Sequence, residues 1–124
     1  MHTYAFEKLS VWQDARNLVV KIYKVSSQFP KEEKFGITNQ IRRSALSIAS
    51  NIAEGSGRKT PKDQVHFYQM AYSSCLELLN QLIIACDLSF TSDNILIECR
   101  IDIETVSNKI NKLRKAILEG PLNN

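Results

Sequence analysis

The side chains that most often carry chemistry are sparse in this chain, and their spacing limits what they can do. Its two histidines, His2 and His66, complete neither an HExxH nor a Glu-x-x-His pattern, so no metal or other cofactor is expected. The three cysteines, Cys75, Cys86 and Cys99, form no CxxC pair. On one helix Cys75 and Cys86 would stand about 16 Å apart, beyond disulfide reach, which points to reduced, buried thiols. Ser44, Ser47, Ser50, Ser73 and Ser74 have no base placed by a local signature. Gly55-Ser56-Gly57 fits neither a phosphate-binding loop nor a nucleophile elbow and reads as an interhelical turn. Without a convergent acid, base and nucleophile, the expectation is a protein that is not an enzyme.

Polar residues at helical spacing are more informative. Gln40, Arg43, Ser47, Asn51 and Glu54 follow one another at intervals of 3, 4, 4 and 3, and Ser74, Glu77 and Gln81 at 3 and 4. Each set forms one stripe. The stripes read either as solvated faces or as a polar seam between helices or subunits, with Arg43 paired to Glu77.

Basic residues gather near two turns: Lys31, Lys34, Arg42 and Arg43 near the first, Arg58, Lys59 and Lys62 near the second. The backbone donors of a helix start, together with Arg58 and Lys59, would hold a phosphate, whereas the plainer reading is a solvated charge cluster. The net charge of +3 hides an asymmetry, with 11 Lys/Arg against 5 Asp/Glu in residues 1–62 and 5 against 8 in residues 63–124. Such polarity steers a polyanion or complements a neighbouring subunit.

These residues must be positioned by few, long elements, because 124 residues contain only 4 Gly and 3 Pro. Val11, Ala15, Leu18, Ile22, Val25 and Phe29 alternate at 4 and 3, which predicts a first helix over about 11–28. Ser10 with Gln13 reads as its capping box, and Phe29-Pro30 as its end. A second helix over about 35–54 carries Ile37, Ile41, Ala45, Ile48 and Ile52 inward and stops at Gly55, where Gly-Ser-Gly permits positive φ. Thr60-Pro61-Lys62-Asp63 then starts a third helix over about 61–88, with Thr60 as cap. Its apolar surface is wider than one seam needs, so part of it is expected to meet another subunit. Thr91 or Ser92 caps a fourth helix over about 92–119, where Cys99, Ile103, Val106, Ile110, Leu113 and Ile117 keep a heptad seam that ends at Gly120-Pro121. Short turns favour one all-α domain, an antiparallel up-down-up-down four-helix bundle.

The same residues resemble a bacterial family of four-helix-bundle proteins named after open reading frames in intervening sequences of large-subunit ribosomal RNA genes. The resemblance covers roughly residues 6–118, beginning at Phe6-Glu7-Lys8-Leu9-Ser10-Val11-Trp12-Gln13 and continuing through Phe29-Pro30-Lys31. It is densest from Gln40-Ile41-Arg42-Arg43-Ser44 to Asn51-Ile52-Ala53-Glu54-Gly55. It implies a ring-shaped homopentamer. The family also includes the accessory variability determinant of diversity-generating retroelements, similar to a basic pentameric barrel that binds nucleic acid and a reverse transcriptase. Ser73-Ser74 stands where many members have Gly-Ser, which is expected to loosen a close helix approach.

The leading expectation is therefore an oligomeric accessory protein binding RNA or DNA through Arg42, Arg43, Arg58, Lys59 and Lys62. Little sequence specificity should accompany it, and a reverse transcriptase or other protein is a further expected partner. The alternative is a protein-interaction scaffold with no direct nucleic-acid contact. No apolar run approaches the roughly 20 residues of a membrane span, and the start lacks a signal-peptide pattern, which points to the cytoplasm.

Overall fold

The 3-and-4 spacing of the apolar residues resolves into four long helices in the computed structural model, which describes residues 1–120. These are α1 (Ser10–Ser26), α2 (Ile37–Ser56), α3 (Pro61–Asp87) and α4 (Asp93–Glu119). Their inward stripes meet in one core, in which Ile22, Ile41, Ile48, Ile52, Leu78, Leu82 and Ile110 are fully buried.

The expected starts of the last two helices hold. Thr60 Oγ1 accepts from the Asp63 backbone N–H at 3.2 Å with Pro61 in the first turn, and Ser92 Oγ accepts from Ile95 N–H at 3.2 Å. Each cap satisfies one backbone donor that a helix start leaves without a partner.

The start of α1 is built differently from the expectation. Leu9 occupies its cap position without a side-chain bond, so Ser10 and Gln13 form no capping box. A short 3-10 turn, Ala5–Lys8, precedes it instead. The Glu7 carboxylate accepts from Tyr4 N–H at 2.8 Å, and Gln13 Nε2 donates to Glu7 O at 3.0 Å. Phe29 lies beyond the end of α1 and packs into the core with its ring 5.9 Å from that of Phe90.

Gly55 does not stop α2, which begins and ends two residues later than its spacing predicts. It is buried inside the helix, and a Cβ there would lie 2.7 Å from the Tyr68 ring. The missing side chain lets α2 and α3 approach closely, while Gly57, the actual cap, has an ordinary φ of −91°. Positive φ occurs instead at Ser89 and Gly120, at 64° and 54°. Gly120 closes α4 by donating to Ala116 O, and Pro121, read as part of the same stop, lies outside the described residues.

Cross-helix pairs fix the topology. Ser44 meets Glu77 and Gln81, whereas Ser47 meets Ser74, so partner numbers fall as α2 advances. Asp14 meets Lys109 and Lys21 meets Asp102, so α1 and α4 are likewise antiparallel. Residues 88–92 are too few to lead back along α3, so α3 and α4 are antiparallel as well, and with each helix packed on the next and α1 on α4 the bundle runs up-down.

Candidate interaction groove between α2 and α3

A helix of 3.6 residues per turn places Gln40, Ser44, Ser47 and Asn51 on the flank of α2 that faces α3. Ser44 is buried, and its hydroxyl lies 3.0 Å from Glu77 Oε1 and 2.8 Å from Gln81 Oε1. One hydroxyl proton serves one of these acceptors at a time. Gln81 Nε2 donates to the same Glu77 oxygen at 3.3 Å. One turn further along, Ser47 Oγ and Ser74 Oγ share a hydrogen bond of 2.8 Å, and Asn51 Nδ2 donates to Ser47 O and Oγ at 2.9 and 3.0 Å. Ser74, which the family pattern shares, thus bonds directly across the helix contact, whereas Ser73, the residue that departs from that pattern, is exposed.

Above this network lies an open cleft of about 330 Å³ lined by Gln40, Arg43, Ser44, Ser47, Ser74 and Glu77. The structure thus brings together the expected seam residues except Glu54, which sits at the end of α2 and pairs with Arg58 at 2.8 Å. The expected Arg43–Glu77 pair does not form within the chain. Both side chains are exposed on the cleft, and Glu77 is held by Ser44 and Gln81 instead. Ser44 was absent from the stripe read in the sequence, although its place four residues after Gln40 and three before Ser47 is a sufficient signal.

The five basic residues do not form one surface. Arg42 is committed to the fold: Nε donates to Ser26 Oγ at 2.8 Å, and the guanidinium lies 4.7 Å from the Tyr23 ring centroid. Arg58 pairs with Glu54 and covers Phe67 at 4.4 Å. Lys59 and Lys62 are exposed beside it at the start of α3. This cluster is separated from Arg42 and Arg43 by roughly 22–24 Å of helix.

The α1–α4 edge was not anticipated. Lys21 Nζ bonds Asp102 at 2.8 Å and approaches Glu98 at 3.5 Å, while Lys109 binds both Asp14 and Ser10. The hydrogen bond to Asp102 holds the Lys21 ammonium above its ordinary pKa, against partial desolvation. Partners 81 and 95 residues apart leave no local spacing signal.

Burial pushes the Cys75 thiol up to about 12 and raises Cys99 as well. Cys86 is only half-buried, contrary to expectation. It donates to Asp93 Oδ1 at 3.1 Å, which raises its pKa. All three are protonated thiols at neutral pH. Among the described residues no group of three or more His, Cys, Asp or Glu is placed to hold a metal ion. No helix among them is long and apolar enough to cross a membrane.

An antiparallel four-helix bundle with a polar groove along one edge is the class that these features define. The chain belongs to the 23S rRNA-intervening sequence protein family, whose model matches residues 7–112. Among solved structures it is similar to a protein of unknown function from the S23 ribosomal protein family of Bacteroides thetaiotaomicron. That match has 19% identity and a TM-score of 0.76, over 85% of this chain and 98% of the other. At that identity the likeness shows the shared fold. No curated protein matches.

Proposed function

We propose that the protein is a cytoplasmic, non-enzymatic accessory protein that works as a homo-oligomer, a pentamer by family resemblance, and binds RNA or DNA with little sequence preference. The observation that supports this reading is the exposed cluster of Arg58, Lys59 and Lys62 at the N-terminal end of the 27-residue helix α3. Cationic side chains and a helix start both attract phosphate, and neither reads bases. Arg42 is left out of this role because its guanidinium is already bonded to Ser26 and Tyr23.

Binding of a labelled single-stranded RNA, followed from about 50 to 200 mM salt, tests the reading. Affinity should fall steeply with salt, and Lys59→Ala with Lys62→Ala should lower the salt slope by about 0.7 per lost contact. Absence of RNA and DNA binding at low salt contradicts it.

A second reading, a protein-interaction scaffold with no direct nucleic-acid contact, draws support from the engagement of Arg42 and Arg58 in contacts of the chain's own. A protein partner, a reverse transcriptase among the candidates, that is retained after nuclease treatment would favour it.

A further inference from the structure

Where α1 hands over to α2, the chain encloses a cleft of about 370 Å³ lined in part by Ser26, Phe29, Lys31, Lys34, Thr38 and Arg42. No carboxylate lines it, and its three cations make no ion pair among the described residues. Glu33, whose carboxylate lies beside Gly36, stays outside the cleft. Across the helices, by contrast, Lys21 is neutralised by Asp102 and Lys109 by Asp14. The uncompensated cations stand beside the start of the 20-residue helix α2, where the macrodipole disfavours positive charge. That start has no side-chain cap, and Gln40 is its first residue to donate to a backbone oxygen, that of Gly36. The N–H groups of Ile37, Thr38 and Asn39 have no acceptor within the helix.

Thr38 distinguishes this cleft from a patch of solvated charge. It is only 7% exposed, it lines the cleft, and its hydroxyl has no hydrogen-bond partner among the described residues. A buried hydroxyl in that state is costly, and an acceptor on a ligand recovers the cost. Ser26 is already satisfied: its Oγ donates to Ile22 O at 2.7 Å and accepts from Arg42 Nε at 2.8 Å. Arg42 also donates through Nη2 to Tyr23 O at 3.4 Å, which leaves three of its five N–H donors without a partner. Those bonds keep its guanidinium from reaching an extended polymer outside the cleft, but they hold it in place for a small group inside, which lowers the ordering cost of binding.

We propose that this cleft binds the phosphate group of a small molecule, either inorganic phosphate or a phosphate monoester. At neutral pH a phosphate monoester carries about −1.5 to −2 charges and three strong acceptor oxygens. Lys31, Lys34 and Arg42 match that charge, and the Thr38 hydroxyl supplies a further donor. A carboxylate, with one charge and two oxygens, leaves more of them unmatched. Phe29 and Pro30 add an apolar wall of the kind that small-molecule sites have. The site is separate from the cluster of Arg58, Lys59 and Lys62 and does not depend on RNA or DNA binding there.

Isothermal titration calorimetry of the full chain with inorganic phosphate and with adenosine monophosphate, at an ionic strength held constant with chloride, tests the proposal. Phosphate should bind at one site per chain. Tighter binding of the nucleotide assigns the site to a phosphate monoester, and affinity for phosphate equal or greater assigns it to the free anion. Lys31→Gln combined with Lys34→Gln should weaken binding by at least about tenfold. Thr38→Val, which keeps the side-chain shape and removes the donor, should weaken it by at least about threefold. Lys112→Gln combined with Lys115→Gln removes the same charge from α4 and should leave the affinity unchanged. Circular dichroism verifies that each variant keeps its helicity.

No binding of either probe at millimolar concentration would overturn the proposal. Equal losses in the two double-lysine variants would mark diffuse charge attraction and overturn it too. Affinity unchanged in both the Lys31/Lys34 variant and Thr38→Val would place the phosphate elsewhere. RNA affinity lost in the Lys31/Lys34 variant, with no binding of phosphate or nucleotide to wild type, would assign the cleft to nucleic acid and overturn it as well.

Discussion

The two cross-linked edges of the bundle solve the same problem with different chemistry. Along α1–α4, the first and last helices are joined by full charges, Lys21 to Asp102 and Lys109 to Asp14. Along α2–α3, the helices are joined by hydroxyls and amides, Ser44 to Glu77 and Gln81, and Ser47 to Ser74. The charges at the first edge are spent inside the chain, whereas Arg43 and the outer oxygen of Glu77 remain available at the second. Hydroxyls and amides thus set helix register at the second edge, where full charges do so at the first.

The largest expected effect comes from forcing the α2–α3 edge apart. Gly55→Val would drive a branched side chain into the buried Tyr68 ring and should cost about 3 kcal/mol, at the upper end for overpacking. Thermal or denaturant unfolding measures it. Ser44→Ala should cost on the order of 1 kcal/mol, because it removes the buried hydroxyl that ties α2 to Glu77 and Gln81. An unfolding free energy equal to wild type would show that this network adds nothing to the edge.

At the opposite edge the expected effects are smaller and depend on solution conditions. Asp102→Asn should cost about 0.2–1 kcal/mol at low salt and less at high salt, since the Lys21 pair is partly exposed. Its pH dependence has a definite sign. Because folding raises the Lys21 pKa, this contribution is complete below the unfolded lysine value and is lost as pH rises through the higher folded value. Melting temperature should therefore fall toward strongly alkaline pH, and Asp102→Asn should remove part of that fall. The smallest effect is chemical rather than energetic. Cys86 should be alkylated before Cys75 and Cys99, which are buried, and mass spectrometry of briefly labelled folded protein reads the order.

Much of this architecture was legible in the sequence because helical burial repeats at 3 and 4. The stripe from Val11 to Ile22 and the seam from Cys99 to Ile110 are buried as their spacing predicts. Local side-chain caps were also legible at Thr60 and Ser92, where donor and acceptor lie three residues apart. Gly55 misled because the residue type that commonly stops a helix also permits close packing inside one, and only the position of Tyr68 distinguishes the two. In the groove, spacing identified the polar faces but could not give the distance between Arg43 and Glu77, which depends on how α2 and α3 dock. The ion pairs of the α1–α4 edge left no signal at all, since chain closure alone brings Lys21 to Asp102.

The most direct test of the contrast between the edges is the salt dependence of the unfolding free energy of Ser44→Ala and Asp102→Asn, measured side by side by denaturant titration. The deficit of Asp102→Asn relative to wild type should shrink from low to high salt, while that of Ser44→Ala stays constant. Equal salt dependence of the two deficits, or one that shrinks in Ser44→Ala alone, would contradict the account.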